Sequence, residues 1–115
     1  MNLEQELGQF TGTEQYYRHL FGKFTDGVKY MADKAGAYWL IDAVMSYQIS
    51  RKTKGVPFQV WTLKKNEGKN SAVLEMKEDI DAPVLVSQRI PFTDFPLESI
   101  KLYMQNGVLM LPSEY

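Results

Sequence analysis

The chain has 115 residues, 44% of them hydrophobic and 13% aromatic, with a formal charge of -1 and no cysteine. That length and composition predict a single folded domain with a core that needs no staples. The charge supplies no field for nucleic acid or an anionic membrane, and the lack of cysteine excludes disulfides, thiol nucleophiles, thiolate zinc and iron–sulfur ligation.

The opening MNLEQELGQF has neither the basic nor the apolar region of a secretory leader, and no segment approaches the roughly 20 apolar residues of a membrane span. A cytoplasmic protein with no membrane partner is expected. Residues 2–9 read as a short helix with an acidic first turn, and Phe10-Thr11-Gly12-Thr13 as a turn. In Glu14–Phe21, Tyr16, Tyr17, Leu20 and Phe21 fall at helical spacings, which predicts a helix, with a strand as the alternative. Thr25-Asp26-Gly27 is turn chemistry, Val28–Ala35 reads as a short helix, and Gly36 as a bend before the next element.

That next element is the longest apolar and aromatic run, Ala37–Ile49, with one charge, Asp42. A helix apolar on most of its circumference must be enclosed, so it is expected at the centre of the core. Asp42, Ser46 and Ser50, four apart, form its one polar strip beside Trp39, and Asp42 needs either the core's edge or a donor. Arg51-Lys52-Thr53-Lys54-Gly55 and Pro57 end the helix.

The period then becomes alternating. Phe58–Lys65, Ser71–Lys77 and Val84–Ile90 read as strands joined by the turns 66–70 and 79–83, an antiparallel meander. Pro91–Pro96 is a loop, because two prolines remove ladder donors. Ser99–Gln105 and Val108–Leu111 bracket Asn106-Gly107, a two-residue hairpin signal that pairs Gln105 with Val108, Met104 with Leu109, Tyr103 with Met110 and Leu102 with Leu111. The expected fold is α+β: N-terminal helices, with a central apolar helix packed on a five-stranded, mostly antiparallel sheet.

The stretches TDGVKY (25–30), AGAYWLID (35–42) and TDFPL (93–97) together resemble a family of short bacterial, phage and plasmid proteins known as a domain of unknown function. The resemblance runs from Phe10-Thr11-Gly12-Thr13 to Leu111-Pro112-Ser113-Glu114-Tyr115. Because that family is uncharacterised, no catalytic residue carries over; the resemblance implies a mobile-element setting, in which small accessory proteins often act by binding a host protein.

The residues themselves offer little chemistry. There is one histidine, His19, and neither a G-x-S-x-G elbow nor a phosphate loop. Glu78, Asp79 and Asp81 lack any coordination pattern and read as a charged turn, so no metal and no cofactor is expected. Arg51, Lys52, Lys54, Lys64, Lys65 and Lys69 would form a basic patch if the helix end and the first hairpin turn sit together, although a solvated rim accounts for them too. Fifteen aromatics exceed what a core of this size encloses, which points to interface anchors. Tyr16, Tyr17, Tyr103 and Tyr115 are the candidates. With Tyr103, Val108 and Met110 form an apolar group on the hairpin's second face, to be covered by a second copy, a partner, or Phe92 or Phe95. The expected function is a non-enzymatic protein-binding module, phage- or plasmid-borne, modulating a host system such as an immune nuclease complex. A homodimer is open and nucleic acid is not expected. The rival is a small enzyme or ligand-binding domain using Asp26, Asp42 and Asp94 between walls of Trp39 and Trp61.

Overall fold

The computed structural model describes residues 2–115. Its elements are α1 (Leu3–Leu7), β1 (Tyr16–His19), β2 (Gly22–Thr25), α2 (Asp26–Ala35), α3 (Tyr38–Ser46) with a 3-10 turn at Tyr47–Ile49, β3 (Phe58–Lys65), β4 (Ala72–Lys77), β5 (Val84–Ile90), β6 (Ser99–Gln105), β7 (Val108–Met110) and a 3-10 turn at Pro112–Glu114. The fold is α+β. Its sheet has seven strands in the order β1-β2-β7-β6-β3-β4-β5, antiparallel except where β2 runs parallel to β7.

The sheet is two strands larger than the sequence suggests because Glu14–Phe21 is not a helix. Tyr16–His19 and Gly22–Thr25 form a hairpin around Leu20-Phe21, with His19 opposite Gly22, and the turn places Leu20 at φ 50. Helical spacing of aromatics misled there. What decides the conformation is distant: Lys23 and Phe24 pair with Val108 and Leu109, and the Lys23 amide donates to the Gly107 carbonyl at 2.8 Å.

Gly36 breaks the helix rather than bending it. It adopts φ 61, ψ 38, a left-handed cap that glycine tolerates without a Cβ clash, and its amide and that of Ala37 both donate to the Ala32 carbonyl. α3 then runs for nine residues and is not enclosed all round. Leu40, Ile41, Val44 and Met45 are buried, whereas Tyr38, Asp42, Ser46 and Ile49 are exposed. The core is instead shared. α2 contributes Val28, Met31 and Ala32, and the strands contribute Trp61, Leu63, Leu74, Met76, Leu102, Met104 and Leu109.

The two central strands alternate, although Val60 on the far face is buried as well. Gln59, Trp61 and Leu63 of β3 and Ile100, Leu102 and Met104 of β6 are buried, while Phe58, Thr62, Lys101 and Tyr103 point the other way. Trp61 is 1% exposed and donates to Gln59 Oε1 at 2.9 Å; Gln59 in turn exchanges hydrogen bonds with the Gln48 amide at 3.0 Å, which satisfies its polar atoms inside the core. The loop after β5 closes the far end by turning Thr93 and Phe95 inward, with Lys65 Nζ donating to the Phe95 carbonyl at 3.0 Å. No helix among the described residues is long and apolar enough to cross a membrane.

Candidate functional site

The sheet has two unlike faces. One lies under α2 and α3. The other carries no α-helix among the described residues, and strand register brings its residues into rows. One row runs Arg18, Lys23, Val108, Gln105, Phe58, and the next runs Met110, Tyr103, Val60, Lys77. The centre of this open face is therefore apolar. Three of the four expected hairpin pairs are present: Gln105 with Val108, Met104 with Leu109, and Tyr103 with Met110. Asn106 and Gly107 take φ 51 and 82 at the turn, as a primed two-residue loop requires.

Tyr115 lies over this centre. Its ring is 5.4 Å from Phe58 and 5.5 Å from Tyr103, and Phe58 and Tyr103 are 5.2 Å apart, so three rings pack against one another. The cover expected from Phe92 or Phe95 is absent: Phe95 is sunk in the core and Phe92 is 71% exposed. Tyr115 covers the centre only in part, because Phe58, Tyr103, Val108 and Met110 all remain half-buried. Beside the group a hollow of about 390 Å³ opens between Tyr16, Thr25, Val108, Met110 and Glu114.

Glu114 fixes the segment that carries Tyr115. One carboxylate oxygen accepts from Thr25 Oγ1 at 2.6 Å and the Leu111 amide at 3.0 Å, and the other accepts from the Gly27 amide at 3.1 Å. A carboxylate at the first turn of α2 meets the positive end of the helix dipole. Gly27 allows the approach, since a Cβ there would lie 2.6 Å from both Glu114 Oε1 and Leu111 Cδ1. Glu114 and Phe58 were missed from sequence. Strand alternation puts Phe58 on the same face as Val60, but only the β3–β6 register sets it near Tyr103. For Glu114 the local signal is its place three residues after Leu111, whose amide donates to it, in a turn opened by Pro112, but nothing local marks its bonds to Gly27 and Thr25, 87 and 89 positions away.

The other candidates scatter. Tyr16 is 57% exposed on the open face, but Tyr17 points to the helix side. There Tyr17 donates to Asp26 Oδ1 at 2.9 Å, while Asp26 Oδ2 accepts from the Glu14 and Gln15 amides at 2.9 and 3.3 Å. These bonds, the Glu14 amide first, hold the Asp26 carboxyl below its ordinary range, and the same contact raises the Tyr17 phenol. Asp26 thus ties the segment before β1 to the start of α2.

Asp42 is exposed on α3 and meets His19 Nε2 from β1. Asp94 is exposed in the loop after β5, and Trp61 is enclosed, so the wall imagined for an aqueous pocket is inside the core; Trp39 is half-buried against the core's edge. Asp26, Asp42 and Asp94 share no hydrogen-bond partner. The cations at Arg51–Lys54 and Lys64–Lys69 do not unite either, because β3 separates them by roughly 23 Å at about 3.3 Å per residue. Among the described residues no group of His, Asp and Glu is placed to hold a metal ion.

The chain belongs to a family of unknown function (DUF6876), whose model matches residues 1–115. No curated protein and no solved structure matches it.

Proposed function

We propose that this member of the family is a non-enzymatic protein-binding module, and that the open sheet face is the surface it presents. What carries the reading is the centre of that face: Tyr103, Val108, Met110, Phe58 and Tyr115 form one apolar group that no α-helix among the described residues covers. Aromatic residues and methionine with a polar rim are the chemistry of interface cores, and folding alone does not require such a group on the wet side of a sheet. The resemblance through TDGVKY, AGAYWLID and TDFPL supports the setting, a cytoplasmic phage- or plasmid-borne modulator of a host system such as an immune nuclease complex. Capture from a host lysate tests this. The expected result is a stoichiometric partner retained by the wild type and lost by a folded Val108→Lys, Met110→Lys variant; a partner equally retained by that variant would place binding elsewhere.

One observation favours a second reading, acid–base chemistry at Asp42. A carboxylate that holds an imidazole is the base half of a catalytic triad, and the His19–Asp42 pair is partly open to water. No serine or threonine hydroxyl bonds His19 among the described residues, which ranks this reading second. An activity found in the wild type and abolished by Asp42→Asn, with the lysate partner absent, would reverse the order.

A further inference from the structure

The rim of the open face differs in chemistry from its centre. By register this face carries Arg18, Lys23, Lys64, Lys77, Arg89 and Lys101 on its strands, and one acid, Glu75. The two ion pairs among the described residues are His19–Asp42 and Lys29–Asp33, so none of these six cations is paired. Glu114, the acid nearest the centre, is already held by Thr25, Gly27 and Leu111. Within a chain of formal charge -1, unpaired cations thus flank this half-buried apolar group, Lys23 beside Val108, Lys77 beside Val60 and Lys101 two residues before Tyr103, whereas Lys64 shares a hollow with Glu67, Glu75 and Glu98.

We infer that the occupant of this face is an acidic, apolar-studded segment of a partner protein. The inference rests on the protein-binding reading above and adds the partner's chemistry. The rows explain the fit. Arg18 and Lys23 stand at one end of the row that crosses Val108, and Lys77 ends the row that crosses Met110, Tyr103 and Val60. Apolar side chains seated on the centre would bring flanking carboxylates to these cations, where complementary charge steers encounter and fixes register. A second copy fits less well, because each copy's face carries six cations and on its strands one acid, Glu75, so pairing two such faces brings net positive charge against net positive charge. Single-stranded nucleic acid fits poorly too. Base stacking along a strand needs a series of free ring faces, but Phe58 and Tyr103 are packed against each other and against Tyr115, which leaves only Tyr115 of the three largely exposed, and Val108 and Met110 offer no ring.

The test titrates the full chain with a short synthetic peptide that alternates Glu with Leu and Phe, the same peptide with Lys for Glu, and oligothymidylate, following the Tyr103, Met110 and Tyr115 resonances. The expected result is binding of the Glu peptide at those residues, weakened by salt. Lys23→Glu, Lys101→Glu, at two exposed positions, should weaken it on the order of tenfold and favour the Lys peptide, with the circular dichroism unchanged. Equal affinity for both peptides overturns the acidic assignment and leaves the protein-binding reading standing. Tighter binding of oligothymidylate overturns both. Self-association by light scattering that Met110→Lys abolishes gives the face to a second copy and overturns the acidic partner alone. Binding of no probe also overturns it, the lysate capture then deciding the broader reading separately.

Discussion

The helix-covered and open faces of the sheet are made by the same strands, yet only one of them is a core. On the covered face, strand residues meet side chains of α2 and α3 and are sealed, as Leu109 is at 0% exposure. On the open face the residues either side of it, Val108 and Met110, are half-buried; they pair with Gln105 and Tyr103 and line a hollow with Gly12, Thr13, Tyr16 and Glu114. The alternation is identical; the difference lies in what the connections lay on top. Apolar residues on the covered face are explained by stability, whereas those on the open face call for an occupant.

The sharpest way to break this comparison is to substitute neighbours on β7. Leu109→Ala should cost about 2–5 kcal/mol by denaturant unfolding, from lost burial and the cavity left behind. Trp61→Ala, on the same face, should cost about 3–5 kcal/mol and also remove the donor to Gln59. If either cost under about 1 kcal/mol, the helix-side layer would not be the core.

The join between the two faces comes next in size. Gly27→Ala forces a methyl against Glu114 and Leu111, and overpacking of this kind costs roughly 1–3 kcal/mol. Because it acts on the segment that seats Tyr115, the variant should also loosen the Phe58–Tyr103–Tyr115 cluster, seen as a change in near-ultraviolet circular dichroism. Glu114→Gln should produce the same spectral change, by weakening three hydrogen bonds without adding volume.

A smaller effect is confined to acid. The Asp26 carboxyl is depressed in the folded chain, chiefly by the Glu14 amide and then by Tyr17. A depressed carboxylate stabilises the fold above its unfolded value, near pH 4, and that contribution is lost as pH falls through the lower folded value. Wild-type stability should therefore fall below about pH 4 more steeply than that of Asp26→Asn. Parallel profiles would mean that the knot before β1 does not matter to folding.

How much of this could be read from sequence depended on the reach of each interaction. The spans Phe58–Lys65, Val84–Ile90 and Ser99–Gln105 match the sequence reading to the residue, since alternation and turn chemistry are local. Tyr103, Val108 and Met110 were legible as one group for the same reason: loop length sets register. The β1–β2 hairpin was not, because its pairing partner, β7, lies about 85 positions along the chain and its own residues sit at helical spacings. Tyr115 stood out as an aromatic, but its place over Phe58 follows from Glu114 reaching Gly27. The basic cluster read from Arg51 to Lys69 was divided by the length of a strand, while the cations that do share a face are scattered over β1 to β6.

The smallest expected change in stability belongs to the open face, and it sharpens the comparison most. Val108 and Met110 point away from the helices, so the Val108→Lys, Met110→Lys variant can keep its lysine heads in water while the stems lie along the sheet. Unfolding free energy should fall by about 1 kcal/mol, the central value for single substitutions and well below the cost of Leu109→Ala, because both residues are only half-buried. The same variant should lose the lysate partner, because two added charges in the apolar centre of an interface must be desolvated unpaired. Stability largely kept and binding lost would assign the two faces different tasks. Were the variant unfolded, the open face would instead be a second core layer held by Tyr115, and its apolar residues would need no partner to explain them.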